Sequence, residues 1–399
     1  STIYLFAAVT ATAAATLVSD LTDSSHNKLT ITVGTGAGSS ATAAQLNAIK
    51  GKTTESVRTG NITTVTGNIS DMSTFIGSIT SYIENDGLTA RAENNYTFTP
   101  TSATQSAADL NTLNGVATNI SLTNVTTISS SSLSNLDTLA TAIGNNEFTN
   151  DDGFTTIAVS DSTIDATSLA TTIDSYDVIN AGATTNMTLA SGATVNVDAG
   201  EITHMLADET AGRLTISDQD ITVNNAGTIT VDTANLLMAT TTGVVTATIV
   251  STETLTELGT LTDGVGQTNN LTITIREADA TSGTAADLNA INSVTSIAVD
   301  LTNVTALAAS SLSDLGTLAT AITNNEFQND DGLTTIAVSD ATIDATTLAA
   351  RIDSFDTING GNTTGMTLAA GATINVDADE ITHMLADETA GRLTISDQK

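Results

Sequence analysis

Short runs in which valine, isoleucine or leucine alternates with threonine recur along the whole chain, as in Gly227-Thr-Ile-Thr-Val231 and Thr334-Thr-Ile-Ala-Val338. Period-two alternation of β-branched residues predicts short strands with one face buried. Each run is followed by a turn rich in Asp, Asn, Ser and Gly, and then the period changes. Leu312, Leu315, Leu318 and Ile322 fall on one helical face, as do Leu348, Ile352 and Phe355. Asp344, and Asp377 ahead of Glu380, read as helix N-caps. Some units, such as Met366-Thr-Leu with Thr373-Ile-Asn-Val376, carry two short strands before the helix.

This grammar is repeated. Residues 197–219 and 376–398 differ only at Gly200 and Asp379, an offset of 179. The match runs back through 145–170 and 324–349 to Ala108 and Ala286, with one inserted residue. A second match, at an offset of 242, relates Leu29–Val33 to Leu271–Ile275 and Thr42–Ile49 to Thr284–Ile291. Strand-like runs begin near residues 2, 29, 55, 88, 118, 154, 187, 214, 244, 271, 297, 333, 366 and 393, roughly 26–36 residues apart. One such unit cannot bury its apolar face alone, whereas stacked units can. The expected fold is therefore an α/β repeat solenoid of parallel short strands plus one short helix per coil, right-handed by the crossover rule. An all-β solenoid is the alternative, since the helices are short and Thr-rich. Unequal units and many acidic side chains disfavour an amyloid-like stack. The reading takes 1–399 as one continuous solenoid, with a six-coil superrepeat at 118–296 and partial copies at 1–117 and 297–399. Neither end reads as a polar cap, so the ends are expected to continue in a longer array or to be completed by neighbouring subunits.

Composition narrows the function. Hydrophobic residues make up 40% of the chain but aromatics only 3%, with no Trp, which suits a thin interior of small aliphatic layers. Forty-four acidic against ten basic residues, a net charge of −34, excludes the phosphate-neutralising surface that nucleic-acid binding needs and disfavours adsorption to anionic lipid. There is no cysteine, hence no disulfide or thiolate metal site. The run Thr2–Val9 is too short to span a membrane and lacks the basic flank of a signal peptide.

Candidate chemistry is sparse. Asn150-Asp151-Asp152-Gly153 and Asn329-Asp330-Asp331-Gly332, with Glu147 and Glu326 just upstream, cluster oxygen ligands of the kind calcium takes, and Glu84-Asn85-Asp86-Gly87 is a shorter version. The candidate calcium ligands are thus Glu147, Asp151, Asp152, Glu326, Asp330, Asp331 and Asp86. The competing account is an ordinary Asp/Asn/Gly turn ahead of a strand; the spacing matches neither the EF-hand nor the nonapeptide calcium repeat. Glu201-Ile-Thr-His204, repeated at Glu380-Ile-Thr-His383, sets two ligand types on one helical face, but a di-iron site needs facing helices that a solenoid does not offer. His26 stands alone, and no Ser–His–acid set, P-loop or dinucleotide fingerprint is present, so no enzyme is expected. Thr-x-Thr ladders raise ice or carbohydrate binding as a minor alternative. Sequons at Asn61, Asn95, Asn124 and Asn303 are expected by chance in so Thr-rich a chain.

The element Thr284–Ile291, followed by Ser296–Asp300 and the Asp-Asp-Gly turn, resembles repeats of giant acidic cell-surface proteins of marine cyanobacteria and similar bacteria. The resemblance is one of repeat style. It implies secretion, surface attachment or filament formation, and calcium dependence, although the calcium nonapeptide is absent here. The expectation is an extracellular or cell-surface structural component of a fibre, sheath or layer, self-associating through solenoid ends or lateral faces. A stalk segment of a large adhesin is the runner-up.

Overall fold

Alternation and helical periodicity compete within each coil, and the handover between them is set by caps. In the computed structural model, which describes residues 6–21, 27–224, 227–262, 269–360 and 363–399, a Ser, Thr, Asn or Asp in extended conformation precedes most helices and accepts from the backbone N–H three positions on. Thr42, Asn68, Ser106, Ser132, Asp165 and Thr230 do so, as do Thr254, Thr284, Ser311 and Asp344. The run Gly227–Val231 shows the consequence. It was expected as one strand, but Thr230 caps Thr233 N–H at 3.2 Å, leaving a strand at Thr228–Ile229 and a helix from Val231. Asp377 is not a cap: the last helix, Glu380–Thr389, is preceded by Asp379, whose side chain makes no capping bond.

The fold is an α/β repeat solenoid, built of short parallel strands and, among the described residues, thirteen α-helices. Two compact units are distinguished, one comprising 1–190 and 203–215, the other 191–202 and 216–399. In the first unit three parallel ladders run coil to coil. One stacks Phe6–Thr12, Lys28–Val33, Val57–Arg58 and Tyr82–Ile83; the second Ser39–Thr42, Ile62–Gly67, Thr97–Pro100, Ile120–Ser121 and Phe148–Thr149; the third Thr104–Ser106, Thr127–Ser131, Thr156–Val159, Asn186–Thr188 and Leu214–Thr215. In the second unit Ala306–Ser310, Thr335–Val338, Gly365–Thr367 and Leu393–Thr394 form one ladder, and Thr342–Asp344 pairs in register with Thr373–Asn375.

Burial follows the pattern read from sequence. In Lys28–Val33 the residues Leu29, Ile31 and Val33 are buried and those between them are not. Leu312, Leu315, Leu318 and Ile322 form the buried helical stripe. Each such aliphatic side chain contributes about 1.5–3 kcal/mol on burial. Four of the eleven aromatics form one cluster. Phe75 lies 4.7 Å from Tyr82 and 5.2 Å from Tyr96, ring centre to ring centre, and Phe98 completes the cluster.

One strand expected near residue 88 is absent: Leu88 sits in a turn and is 89% exposed. Asp86 holds that turn by accepting from the N–H groups of Leu88 and Thr89, and the ladder position is taken by Tyr82–Ile83 instead. The run expected from residue 2 lies partly, and His26 wholly, outside the described residues. Among the described residues no helix is long and apolar enough to cross a membrane.

Candidate functional site

Polar side chains in this fold gather at the seams between coils. Six helices receive, at their first N–H, a side chain from the coil that follows: Ala107 from Ser131 at 3.0 Å, Leu133 from Asp161 at 2.8 Å, Val231 from Glu253 at 3.1 Å, Leu255 from Asp279 at 3.1 Å, Ala285 from Ser310 at 2.9 Å and Leu312 from Asp340 at 2.8 Å. The N–H groups of a first helical turn lack intrahelical partners and carry partial positive charge, so a carboxylate or hydroxyl there satisfies a donor and complements the helix dipole. A share of the acidic excess therefore has a structural use. Asparagines add a second seam. Asn47, Asn111 and Asn289 donate to the carbonyls of Asp71, Asn135 and Asp314 on the next helix, each at 3.0 Å.

Arginine makes a third kind of bridge. Arg213 bonds Asp177, on the preceding helix, at 2.8 Å and also bonds Asp208. Its duplicate Arg392 bonds Asp356 at 3.0 Å and Asp387 at 2.5 Å. The Asp208 side chain is 1% exposed, and burial raises its pKa against the opposing pull of Arg213 and His204. Elsewhere Arg91, buried among Glu84 at 2.7 Å, the Ile62 carbonyl at 2.6 Å and the face of Tyr96 at 4.5 Å, ties three successive segments together.

The candidate calcium ligands are placed as follows. Glu147 accepts from Asn114 and, at 3.5 Å, from Asn145. Glu326 accepts from Asn292 at 2.6 Å and Asn324 at 3.3 Å. Both glutamates thereby link a helix end to the amide of the preceding coil. Asn150 and Asn329 adopt left-handed backbone, φ 54° and 57°, a turn conformation that Asn tolerates. Partial burial, with Asp152 or Asp331 alongside, raises the pKa of Asp151 and of Asp330. Asp86 is held at about 2 by the Thr89 and Leu88 N–H groups and the Thr89 hydroxyl. Among the described residues no three His, Asp or Glu side chains converge as a metal site. In the Glu-x-x-His elements, His204 Nδ1 stands 3.8 Å from Asp208, while Glu380 accepts from Thr346 and from the Asp377 N–H.

A groove lies over the outer face of Leu133–Gly144, lined by Asp137, Thr138, Thr141, Glu147 and Asp165. Its duplicate lies over Leu312–Thr323, lined by Thr317, Thr320, Glu326 and Arg351. The two differ by a paired exchange. Asp137 and Thr172, joined at 2.6 Å, are replaced by Gly316 and Arg351. A Cβ on Gly316 would meet the Arg351 guanidinium at 2.4 Å, so the glycine makes room for the arginine. One groove is accordingly acidic and the other holds a cation. Sequence reasoning missed these seams. Their signal was a Ser, Asp or Glu recurring about a coil length after each helix start, which has no meaning until the stacking register is known. No family model matches the chain, and no curated protein matches its sequence.

Proposed function

We propose that this chain is a structural repeat component of an extracellular fibre, sheath or surface layer, with no catalytic role. The observation that carries the reading is the use made of the polar side chains. The residues most distinctive in sequence, including Asp161, Asp340, Glu147, Glu326, Arg213 and Arg392, are duplicated and engaged between neighbouring coils. A catalytic centre requires a singular constellation; a scaffold requires the same joint made many times. The acidic surface suits a soluble component that assembles against its own repulsion, and the resemblance to bacterial surface repeats points outside the cell.

Electron microscopy of native material tests this. Uniform filaments or sheets that label with antibody to this chain support it. Isolated rods tethered to cells would instead assign it to an adhesin stalk, and dispersed single molecules would sink both. Calcium binding through the Asp151–Asp152 and Asp330–Asp331 turns has its own test in thermal melting with and without EDTA. A midpoint lowered by EDTA supports it, and an unchanged midpoint removes it.

A further inference from the structure

We infer that the groove over Leu312–Thr323 binds a carboxylated saccharide, with Arg351 pairing the carboxylate of the sugar acid while threonine hydroxyls and Glu326 accept from its hydroxyl groups. The site is independent of whether the chain builds a fibre.

Arginine is scarce in this chain, and most of it is engaged. Arg91, Arg213, Arg276 and Arg392 each close on a carboxylate at 2.7–3.0 Å. Arg58 lies over Gly87, where its charge reaches Asp86. Among the described residues no carboxylate forms an ion pair with Arg351. Its Nε donates to the Leu312 carbonyl at 3.1 Å, which anchors the guanidinium to the neighbouring helix. Gly316, lacking a Cβ, leaves the room it occupies. The two terminal nitrogens make no hydrogen bond among the described residues, and the side chain lines the groove. A guanidinium fork fixed at one nitrogen and open at the others matches a carboxylate, which it can bind with two parallel hydrogen bonds.

The rest of the groove selects the kind of anion. Its volume of about 650 Å³ lies in the range of small-ligand sites. Thr317 and Thr320 donate their hydroxyl protons to the Ser313 and Gly316 carbonyls at 3.4 and 2.8 Å. What those hydroxyls have left to offer is acceptor lone pairs. Glu326, accepting from Asn292 at 2.6 Å and Asn324 at 3.3 Å, also presents acceptors only. A bare anion such as sulfate would be repelled by Glu326 and would bring the threonines no donor. A sugar acid carries one carboxylate per ring for Arg351 and several O–H donors for the acceptors around it. The duplicate groove over Leu133–Gly144 is the internal control. There Asp137 and Thr172 stand in place of Gly316 and Arg351, bonded to each other at 2.6 Å, and no cation lines the walls.

Isothermal titration of the full chain with trigalacturonate is the test, with neutral galactotriose and sulfate as the other arms. Trigalacturonate is expected to bind, and galactotriose to bind at least about tenfold more weakly for want of the ion pair. Sulfate at equal concentration should not displace the sugar acid. Arg351→Thr, which installs the residue of the other groove, is expected to weaken trigalacturonate binding about tenfold or more. Arg351→Lys keeps the charge without the fork and should weaken it about threefold, and it reports the site should Arg351→Thr lose its fold. A wild type that does not bind trigalacturonate, or an affinity that both variants leave unchanged, overturns the site. Equal binding of galactotriose, or displacement by equal sulfate, overturns the sugar-acid assignment. So does a chain that ignores all three ligands but loses self-association in sedimentation with Arg351→Thr, which would assign the groove to an acidic protein partner.

Discussion

The coils at 197–219 and 376–398 set nearly the same sequence in two environments, and the helices at 133–144 and 312–323 set different side chains in the same environment. The first pair shows that burial depends on the neighbouring coil: Ile202 and Ile381 stand in segments that differ only at Gly200 and Asp379 between 197–219 and 376–398, and the first is 2% exposed while the second is 46% exposed. The second pair shows that the coil tolerates exchange only in compensated sets. Asp137 with Thr172 and Gly316 with Arg351 are each self-consistent, because volume removed at one position is taken up at the other. Taken together, the two comparisons describe a solenoid whose seams are repeated and whose outer charge varies by paired substitution.

The sharpest way to break the first comparison is to place a carboxylate at its two centres. Ile202→Asp buries an unpaired charge and is expected to cost about 4 kcal/mol locally, whereas Ile381→Asp stays within about 0.5 kcal/mol of wild type. Hydrogen exchange of the Thr194–Val197 and Thr373–Asn375 amides measures both, since stability in stacked repeats is read locally. Equal losses at the two sites would remove the claim that stacking decides burial.

Next in size is the arginine bridge. Arg213→Ala leaves Asp208 buried without its cation and is expected to cost about 3 kcal/mol, part of which Asp208→Asn in the same chain restores. The pH dependence has a definite sign. The folded-state pKa of Asp208 is raised, so its contribution to stability is fully present below the unfolded value of about 3.9 and is lost as pH rises through the folded value. A stability-against-pH profile of the Asp208→Asn variant should lack that descending segment. A profile parallel to wild type would mean that Asp208 does not titrate differently on folding.

The paired exchange gives a third test. Thr172→Arg alone crowds Asp137 in the acidic groove and is expected to cost about 1–3 kcal/mol. Adding Asp137→Gly, which recreates the Gly316–Arg351 arrangement, should recover most of it. A double variant no better than the single one would show the two sites to be independent. The smallest expected effect is at Tyr176, whose hydroxyl donates to the Leu136 carbonyl at 3.1 Å while its counterpart is Phe355. Tyr176→Phe should cost about 1 kcal/mol, measured by the same local exchange.

Much of this architecture was legible in the chain. Period-two runs at Leu29–Val33 and Thr335–Val338 became strands, and the stripe Leu312–Ile322 became the buried face of a helix. The misreadings share a cause. Near residue 88 an apolar side chain stands in a turn that Asp86 closes, and at Val231 a threonine cap converts an alternating run into a helix start. In both, one side chain bonded to nearby backbone N–H groups outweighed the pattern of the surrounding residues. The acidic turns were read for ligand chemistry because Asp, Asn and Gly serve calcium sites and tight turns alike. Only the partners of Glu147 and Glu326 on the preceding coil show the structural use.

By itself the sequence determined the repeat, the order of strand and helix within each coil, and the apolar stripe each coil must bury, because these depend on periodicity and caps within a few residues. The tertiary structure decided which carboxylate meets which helix, which arginine closes on which pair of aspartates, and whether Ile202 or Ile381 is covered. Those contacts join residues about 20–40 positions apart through stacking, and the stacking register is a property of neighbouring coils that no single unit encodes.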